Sequence, residues 1–311
     1  MEMRVFGRTG MQLSMLGFGC GAVGGLMVRG DPLDQERTIA RALAAGVNYF
    51  DTAVQYGNGE SEKNLGRVLQ TLKPAGAVVG TKVRLPSSEF GRIAEAVTKS
   101  LEDSLARLRR DRVDIFHLHN AITASGGGEA LSVAAVLGDV VPVFERLRRQ
   151  GKTRFLGLTA IGETQALQQV IDARAFESAQ VVYNMLNPSA AAGVGVVGIR
   201  VLAGGALSGS AERHPIASPP PEPIGSAMSY DADVARARRL MALVAEGFAA
   251  SLTEAATRFA LSHPAMATIL VGMATPQQFE DALGAVQKGP LPPAALDRLR
   301  ALQQTFAGEP R

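Results

Sequence analysis

The 311-residue chain has one cysteine, no long apolar run and almost no imbalance of charge. A lone thiol, Cys20, cannot close an internal disulfide and offers no metal-ligand spacing, so no metal site is expected. The apolar stretches are broken by charge well short of the roughly 20 residues that a membrane helix needs. The opening MEMRVFGRTG alternates like a hairpin and holds no apolar region of the kind that heads a secreted chain, so a cytoplasmic protein is expected. Lys plus Arg exceed Asp plus Glu by 32 − 29 = +3 with no basic tract, which leaves no nucleic-acid surface. What the chain does have is 46% apolar residues and glycine-rich strand ends, the composition of one large α/β domain over 1–311.

Short runs rich in Val, Ile and Phe alternate with amphipathic stretches of helix length. That is the pattern of βα units around a buried parallel sheet. A turn at Arg8-Thr9-Gly10 joins two short strands, and LSMLGFGCG then opens the core. Strands follow over 47–53, 77–83, 113–119, 153–160, 179–184, 194–202 and 267–273, with helices over 34–45, 60–72 and 89–108 and another ending at Gln150. Eight core strands after the hairpin predict a (β/α)8 TIM barrel with an N-terminal β-hairpin and extra helices. The segment 120–138 is Gly/Ala-rich and reads as a loop. Only nine residues, MLNPSAAAG, separate Asn184 from Val194, too few for a crossover helix, so a helix is expected to be missing there. The proline-rich stretch 204–230 is expected to be irregular and to overhang the rim. Thr275-Pro276-Gln277-Gln278 opens the helix after the last strand with a capping box, where free N–H groups would receive an anion such as a phosphate.

Four polar residues stand where apolar runs end: Asp51 and, five residues on, Tyr56; then Lys82 and His119. Chemistry in parallel sheets collects at the carboxyl ends of strands, and an acid, a phenol, an amine and an imidazole on one rim make a proton-transfer site. A free phenol ionises near pH ~10, so it needs a cation to release its proton readily. Lys82 is that cation, and Asp51 keeps it charged against burial. His117 is assigned to packing on the other face of its strand, and Tyr183 to the core.

The runs FDTAVQYGNGESE, GTK, DIFHLH, GKTRFLGLTA, QVVYN, VLAGGALSG and VGMATPQQFEDAL, in this order and spacing, resemble the aldo-keto reductase superfamily over essentially the whole chain. The resemblance implies an oxidoreductase that moves hydride between a nicotinamide cofactor and a carbonyl or alcohol. It implies a catalytic tetrad of Asp51, Tyr56, Lys82 and His119, with Tyr56 as general acid and base and His119 orienting the carbonyl. NADPH is the implied cofactor, with NADH also usable, and the implied substrate is a small carbonyl compound or sugar.

Cofactor contacts implied by the resemblance begin with Gly19 and Cys20 at the first strand end, Cys20 being a neutral thiol beside the site. Thr159 and Gln180 fall at the carboxamide, Ile199 against the nicotinamide ring, and Arg200, Val201 and Leu202 along the pyrophosphate. Gly272, Met273, Thr275, Gln278 and Asp281 surround the adenosine end. The chain departs from the family pattern in several places. Thr159-Ala160 replaces a common Ser-Asn, Ile199 stands where an aromatic ring is usual, and Arg200 where a small polar residue is common. Neither Lys nor Arg occurs over 272–278, so the preference for NADPH should be weak. Two other readings are a Schiff-base aldolase acting through Lys82 and a nucleotide-sensing subunit of the same fold. Asp51, Tyr56 and Gln180 argue against the first, and an intact tetrad against the second.

Overall fold

Alternation of inward and outward side chains lets each short apolar run serve two cores at once. The computed structural model describes residues 1–188, 194–210, 212–224 and 226–306. A hairpin of β1 (Met3–Val5) and β2 (Gln12–Ser14) precedes β3 (Leu16–Gly19), β4 (Tyr49–Asp51), β5 (Val78–Val83) and β6 (Val113–Leu118). A small ladder of β7 (Ile122–Thr123) and β8 (Leu131–Ser132) comes next, then β9 (Thr153–Thr159), β10 (Ser178–Val182), β11 (Gly195–Ile199) and β12 (Met266–Gly272). β3, β4, β5, β6, β9, β10, β11 and β12 close a parallel barrel in that order, β12 pairing back onto β3. The predicted (β/α)8 architecture is therefore observed.

Inside the barrel, Tyr49, Val78, Ile115, Val197, Ala267 and Leu270 pack with Phe6, Met11 and Leu13 of the hairpin region. Phe6 lies against Gly195 at the start of β11, where an added Cβ would stand 2.9 Å from its ring. The hairpin thus plugs the mouth at the strands' amino ends and leaves the carboxyl ends open. Outside, helices Pro32–Ala44, Glu60–Leu72, Ile93–Leu108, Val141–Arg149, Thr164–Asp172 and Pro276–Gln287 lay buried stripes such as Ile39, Leu65, Val97, Phe144, Val170 and Phe279 on the sheet.

Several predicted boundaries move for identifiable reasons. The helix expected from residue 34 begins at Pro32, because Asp31 accepts from Leu33 N at 2.8 Å and proline fits the first helical position. The helix expected from 89 starts with a 3-10 turn, Ser87–Arg92, before Ile93–Leu108. The loop expected over 120–138 holds β7, β8 and a helix that starts at Val133, where Ser132 Oγ accepts from Ala135 N at 3.1 Å. After β10, Asn184 Oδ1 accepts from Leu186 N at 2.9 Å and Asn187 N at 3.0 Å, closing a turn, and no helix stands between β10 and β11 among the described residues. The rest of the short crossover, 189–193, lies outside the described residues.

After β11 the chain makes 3-10 turns over Ala203–Ser208, and the described residues between there and the helix Tyr230–Leu240 form an irregular strap. Two arginines hold the strap by its carbonyls. Arg213 donates to Gly204 O (2.6 Å), Ser218 O (3.0 Å) and Val23 O (3.2 Å), and Arg29 donates to Ile216 O (2.6 Å) and Ala22 O (2.8 Å). The strap is thereby tied to the segment that follows β3.

His117 does not face outward. Residues two apart in a strand share a face, so His117 lies inside the barrel one layer beneath His119, fully buried, with Nε2 3.1 Å from Ser178 Oγ. It fits because its neighbour in β9 is Gly157, where an added Cβ would stand 2.3 Å from the ring. Gly157→Ala should therefore overpack the barrel and cost about 1–3 kcal/mol. The urea midpoint should fall with the transition slope unchanged; a midpoint equal to that of the parent would show that the ring can move aside.

Candidate active site

Asp51 ends β4 and Lys82 lies near the end of neighbouring β5, so parallel pairing brings carboxylate and ammonium into the same open mouth. Lys82 is fully buried and spends all three of its protons: on Asp51 Oδ1, on the Thr52 carbonyl at 2.8 Å and on Tyr56 Oη at 3.2 Å. An ammonium can only donate. Tyr56 Oη therefore accepts, and its own proton is left for the cleft. Tyr56 reaches this position from the turn after β4, where Gly57, Asn58 and Gly59 all have left-handed backbone (φ 68°, 52° and 89°). The second oxygen of Asp51 accepts from Tyr49 Oη at 2.9 Å and Gln180 Nε2 at 2.6 Å. Three donors thus meet a carboxylate that is only 2% exposed.

Burial acts to strip Lys82 of its proton, but Asp51 and Tyr56 outweigh it and hold the ammonium above its ordinary pKa. For Tyr56, burial raises the pKa most, Lys82 lowers it and Asp51 raises it, leaving the phenol above its ordinary value. The lowering expected from Lys82 is present, yet it does not overcome burial, so Tyr56 is a protonated acid at neutral pH. His119, just beyond β6, donates its backbone N–H to Val83 O at 2.7 Å, and its Nδ1 lies 2.7 Å from Thr159 Oγ1. Burial first and the Lys82 charge second push its ring pKa down to about 3, so the imidazole is neutral.

A cleft of about 740 Å³ opens above these groups, lined by Asp51, Tyr56 and His119 together with Gly19, Gln180, Ile199, Arg200, Val201, Leu202, Gly272, Gln278 and Asp281. Thr159, Cys20, Met273 and Thr275 stand outside its wall. Thr159 spends its hydroxyl on His119. Cys20 is buried with Sγ 3.9 Å from Phe18 O, and burial raises its thiol pKa. Met273 is buried and its carbonyl accepts from Leu26 N at 3.1 Å. Thr275 caps the last barrel helix.

The anion site expected at that helix is narrower than the sequence implied. Thr275 Oγ1 accepts from Gln278 N at 3.3 Å, and Gln278 Oε1 accepts from Ala274 N at 2.6 Å. Pro276 has no N–H, which leaves that of Gln277 for an anion. The cleft is otherwise floored by glycines, among them Gly19, Gly21, Gly24 and Gly272. At Gly21 an added Cβ would stand 3.9 Å from the Tyr56 ring, in the space before the acid. A slot free of side chains, in front of a proton donor, fits a flat nicotinamide ring.

The profile of the Aldo/keto reductase family matches residues 15–304. The chain belongs to the aldo/keto reductase family. It is similar to L-galactose dehydrogenase of Arabidopsis thaliana, 30% identical over 302 residues that cover 92% of this chain and 88% of that one. It is also similar to pyridoxal 4-dehydrogenase of Microbacterium luteolum, 26% identical over 335 residues covering 89% and 90%. The fold resembles that of the aldo-keto reductase AKR11C1 from Bacillus halodurans in its holo form, with a TM-score of 0.71, 24% identity and coverage of 97% and 96%. As a member of this family the protein is an oxidoreductase that moves hydride between a nicotinamide cofactor and a carbonyl or alcohol.

Three residues at the site of this aldo/keto reductase escaped the sequence reading. Tyr49 precedes Asp51 by two and shares its face, a signal that alternation alone could have given. Thr159 and His119 were both expected at the site, but their bond to each other, across neighbouring strands, was not. Arg84 follows Lys82 by two and lines the cleft. Glu62, in the GESE run, is fully buried and accepts from Thr81 Oγ1 at 2.5 Å and Arg107 Nε at 2.6 Å, bracing the residue next to Lys82.

His117, like His119, is pushed down to about 3 by burial and then by Lys82. On acidification the unfolded chain protonates first, near pH 6.5, while the folded rings stay neutral. Stability should therefore be level in these rings above pH 7 and fall from about 6.5 toward 3, by about 1.4 kcal/mol per pH unit for each ring. Urea midpoints between pH 8 and 5 measure this, with His119→Gln removing one ring's share of the slope. A midpoint that stays flat down to pH 5 would exclude two neutral buried imidazoles.

Proposed function

We propose that the protein is an NADPH-dependent reductase of small aldehydes, ketones or sugars, able to use NADH and to run in reverse, acting in the cytoplasm as one barrel unit over 1–311. The observation that carries this reading is the full commitment of the Lys82 protons, which leaves Tyr56 as an uncommitted acid facing the cleft. The sugar and pyridoxal dehydrogenases among the relatives support a small polar carbonyl.

The cofactor supplies the hydride; the protein's residues manage the proton. With Thr159 Oγ1–H donating to Nδ1 of His119, the ring proton sits on Nε2, where it can hold a carbonyl oxygen. Tyr56 gives its proton to the developing alkoxide, and the phenolate left behind is met by the Lys82 ammonium. Lys82 carries no free lone pair, which disfavours a Schiff base. Gln180 and Ile199 suit the carboxamide and the nicotinamide face. Arg200, half-buried with burial lowering its pKa, suits a pyrophosphate. Gly19, Val201, Leu202, Gly272, Gln278 and Asp281 complete the cofactor wall, backed by Cys20, Met273 and Thr275.

Tyr56→Phe removes only the donor, so turnover should fall by roughly 10² to 10⁴ while cofactor titration is unchanged. Parent-like turnover would discard Tyr56 as the acid. For Asp51→Asn two effects oppose. Asp51 itself raises the Tyr56 pKa, but Lys82 lowers it more strongly, and Lys82 stripped of its counter-charge loses its proton. The apparent pKa of the acid should rise, seen as an alkaline shift in the pH–rate profile of alcohol oxidation; an unmoved profile would break the link.

Cofactor choice follows from the bare helix end. Exposed amides at a helix terminus contribute only about 0.3–1 kcal/mol each to an anion. NADPH should therefore be preferred over NADH by less than roughly 100-fold, the equivalent of about 2.7 kcal/mol. Gln278→Arg should raise the ratio of NADPH to NADH affinity, since loss of the bond to Ala274 N weakens both cofactors alike. Fluorescence titration reads it, and strong discrimination in the parent would mean that a cation elsewhere, Arg200 first, reaches the 2′-phosphate.

A further inference from the structure

Arg84 leaves β5 on the face that carries Lys82, because the two are separated by a single residue. Its position is set by bonds on either side of it. Val83 O accepts from His119 N at 2.7 Å, Leu85 N donates to Asn120 Oδ1 at 2.8 Å, and Asn120 Nδ2 returns a bond to Leu85 O at 2.7 Å. Asn120 is fully buried. The segments carrying Arg84 and His119 are thus locked side by side, and both side chains line the cleft.

Tyr56, His119, Ala121 and Ile161, which line the cleft with Arg84, are uncharged. Among the described residues the guanidinium has neither a hydrogen bond nor an ion pair. Acidic residues near these positions in sequence are engaged elsewhere: Glu60 accepts from Lys63 Nζ, Glu89 from Arg92, Glu129 from Ser87 N at 3.3 Å and Ser87 Oγ at 3.1 Å, and Glu163 from Ala124 N at 2.8 Å. Asp51 lines the cleft too, but its carboxylate is taken up by Lys82, Tyr49 and Gln180; the other lining acids, Glu212, Glu222 and Asp281, come from the strap and the last barrel helix, across the barrel from β5 and β6. Arg84 also adds to the positive field on His119, behind burial and Lys82.

We propose that Arg84 selects carbonyl substrates that bear an anionic group, a carboxylate or a phosphate ester, holding that group while Tyr56 and His119 hold the carbonyl. The proposal rests on the reductase reading of the same cleft and narrows its substrate class. A guanidinium offers a planar fork that matches either anion, and its placement next to His119 puts the anion on the substrate side of the acid. Arg200, beyond Tyr56 at the end of β11, remains available to the cofactor.

The test pairs charged aldehydes with neutral partners: 4-oxobutanoate with its methyl ester, and glyceraldehyde 3-phosphate with glyceraldehyde. In the parent, kcat/KM for the charged member of at least one pair should exceed that of its partner by about ten-fold or more, the worth of one charge-assisted hydrogen bond. The responding pair distinguishes carboxylate from phosphate. Arg84→Gln should bring the ratio close to one, and Arg84→Lys should keep part of it. A parent ratio of one in both pairs, or an excess that survives Arg84→Gln, overturns the proposal. If the neutral aldehydes are reduced while the ratios are one, only the role of Arg84 fails; if no aldehyde is reduced, the reductase reading fails instead. Calorimetric titration of the enzyme with succinate or 3-phosphoglycerate reads the contact without turnover: about ten-fold weaker binding in Arg84→Gln is expected, and equal binding counts against it.

Discussion

A fully buried ammonium is the constraint around which the open mouth of the barrel is arranged. An isolated charge in such a place costs several kcal/mol, so every proton of Lys82 has to find an acceptor. The acceptors then need supports of their own. Asp51 can stay ionised inside the barrel because Tyr49 and Gln180 saturate its other oxygen, and Tyr49 can stand there because Gly80 has no side chain; a Cβ at that position would lie 2.8 Å from the phenol oxygen. Thr52 offers its carbonyl while its hydroxyl bonds Ser61, which in turn bonds Cys20 O. A single charge thereby fixes residues in β4, β5 and β10 and at the turn after β3.

The same charge sorts the titrating groups around it. Lys82 lowers the pKa of Tyr56, His117 and His119 alike. For the phenol this opposes burial and keeps the proton exchangeable. For the imidazoles it reinforces burial and keeps them neutral, so that a ring beside the acid donates a hydrogen bond without competing for the proton. One cation in a low-dielectric mouth therefore separates the acid from the orienting group, an arrangement that solvent would blur.

The barrel and the four polar residues were legible in the sequence because both follow from local pattern: apolar runs of strand length, and polar residues where those runs stop. Length alone exposed the crossover after Asn184. The features that were not legible depend on pairs of residues far apart in the chain. Alternation with His119 puts His117 inside, but that a ring fits there depends on Gly157, forty residues on. The hydroxyl of Thr159 turns to His119 at the end of the neighbouring strand, forty residues back. Gln278 folds back on its own helix start, which no count of basic residues reveals. The balance of burial against charge at Tyr56 is a property of the assembled mouth, so chemistry that names the right residues still misjudged which influence prevails.

The strap over the cleft is held by arginine bonds to backbone carbonyls, a group that every residue possesses. Arg29 and Arg213 ask little of Ile216 or Ser218 beyond a carbonyl in the right place. The shape of this roof is therefore encoded in two anchors and a few turns, while the side chains between them are free to drift. Over evolutionary time such a segment can change its chemistry toward the ligand without refolding, and the reaction below it need not change at all.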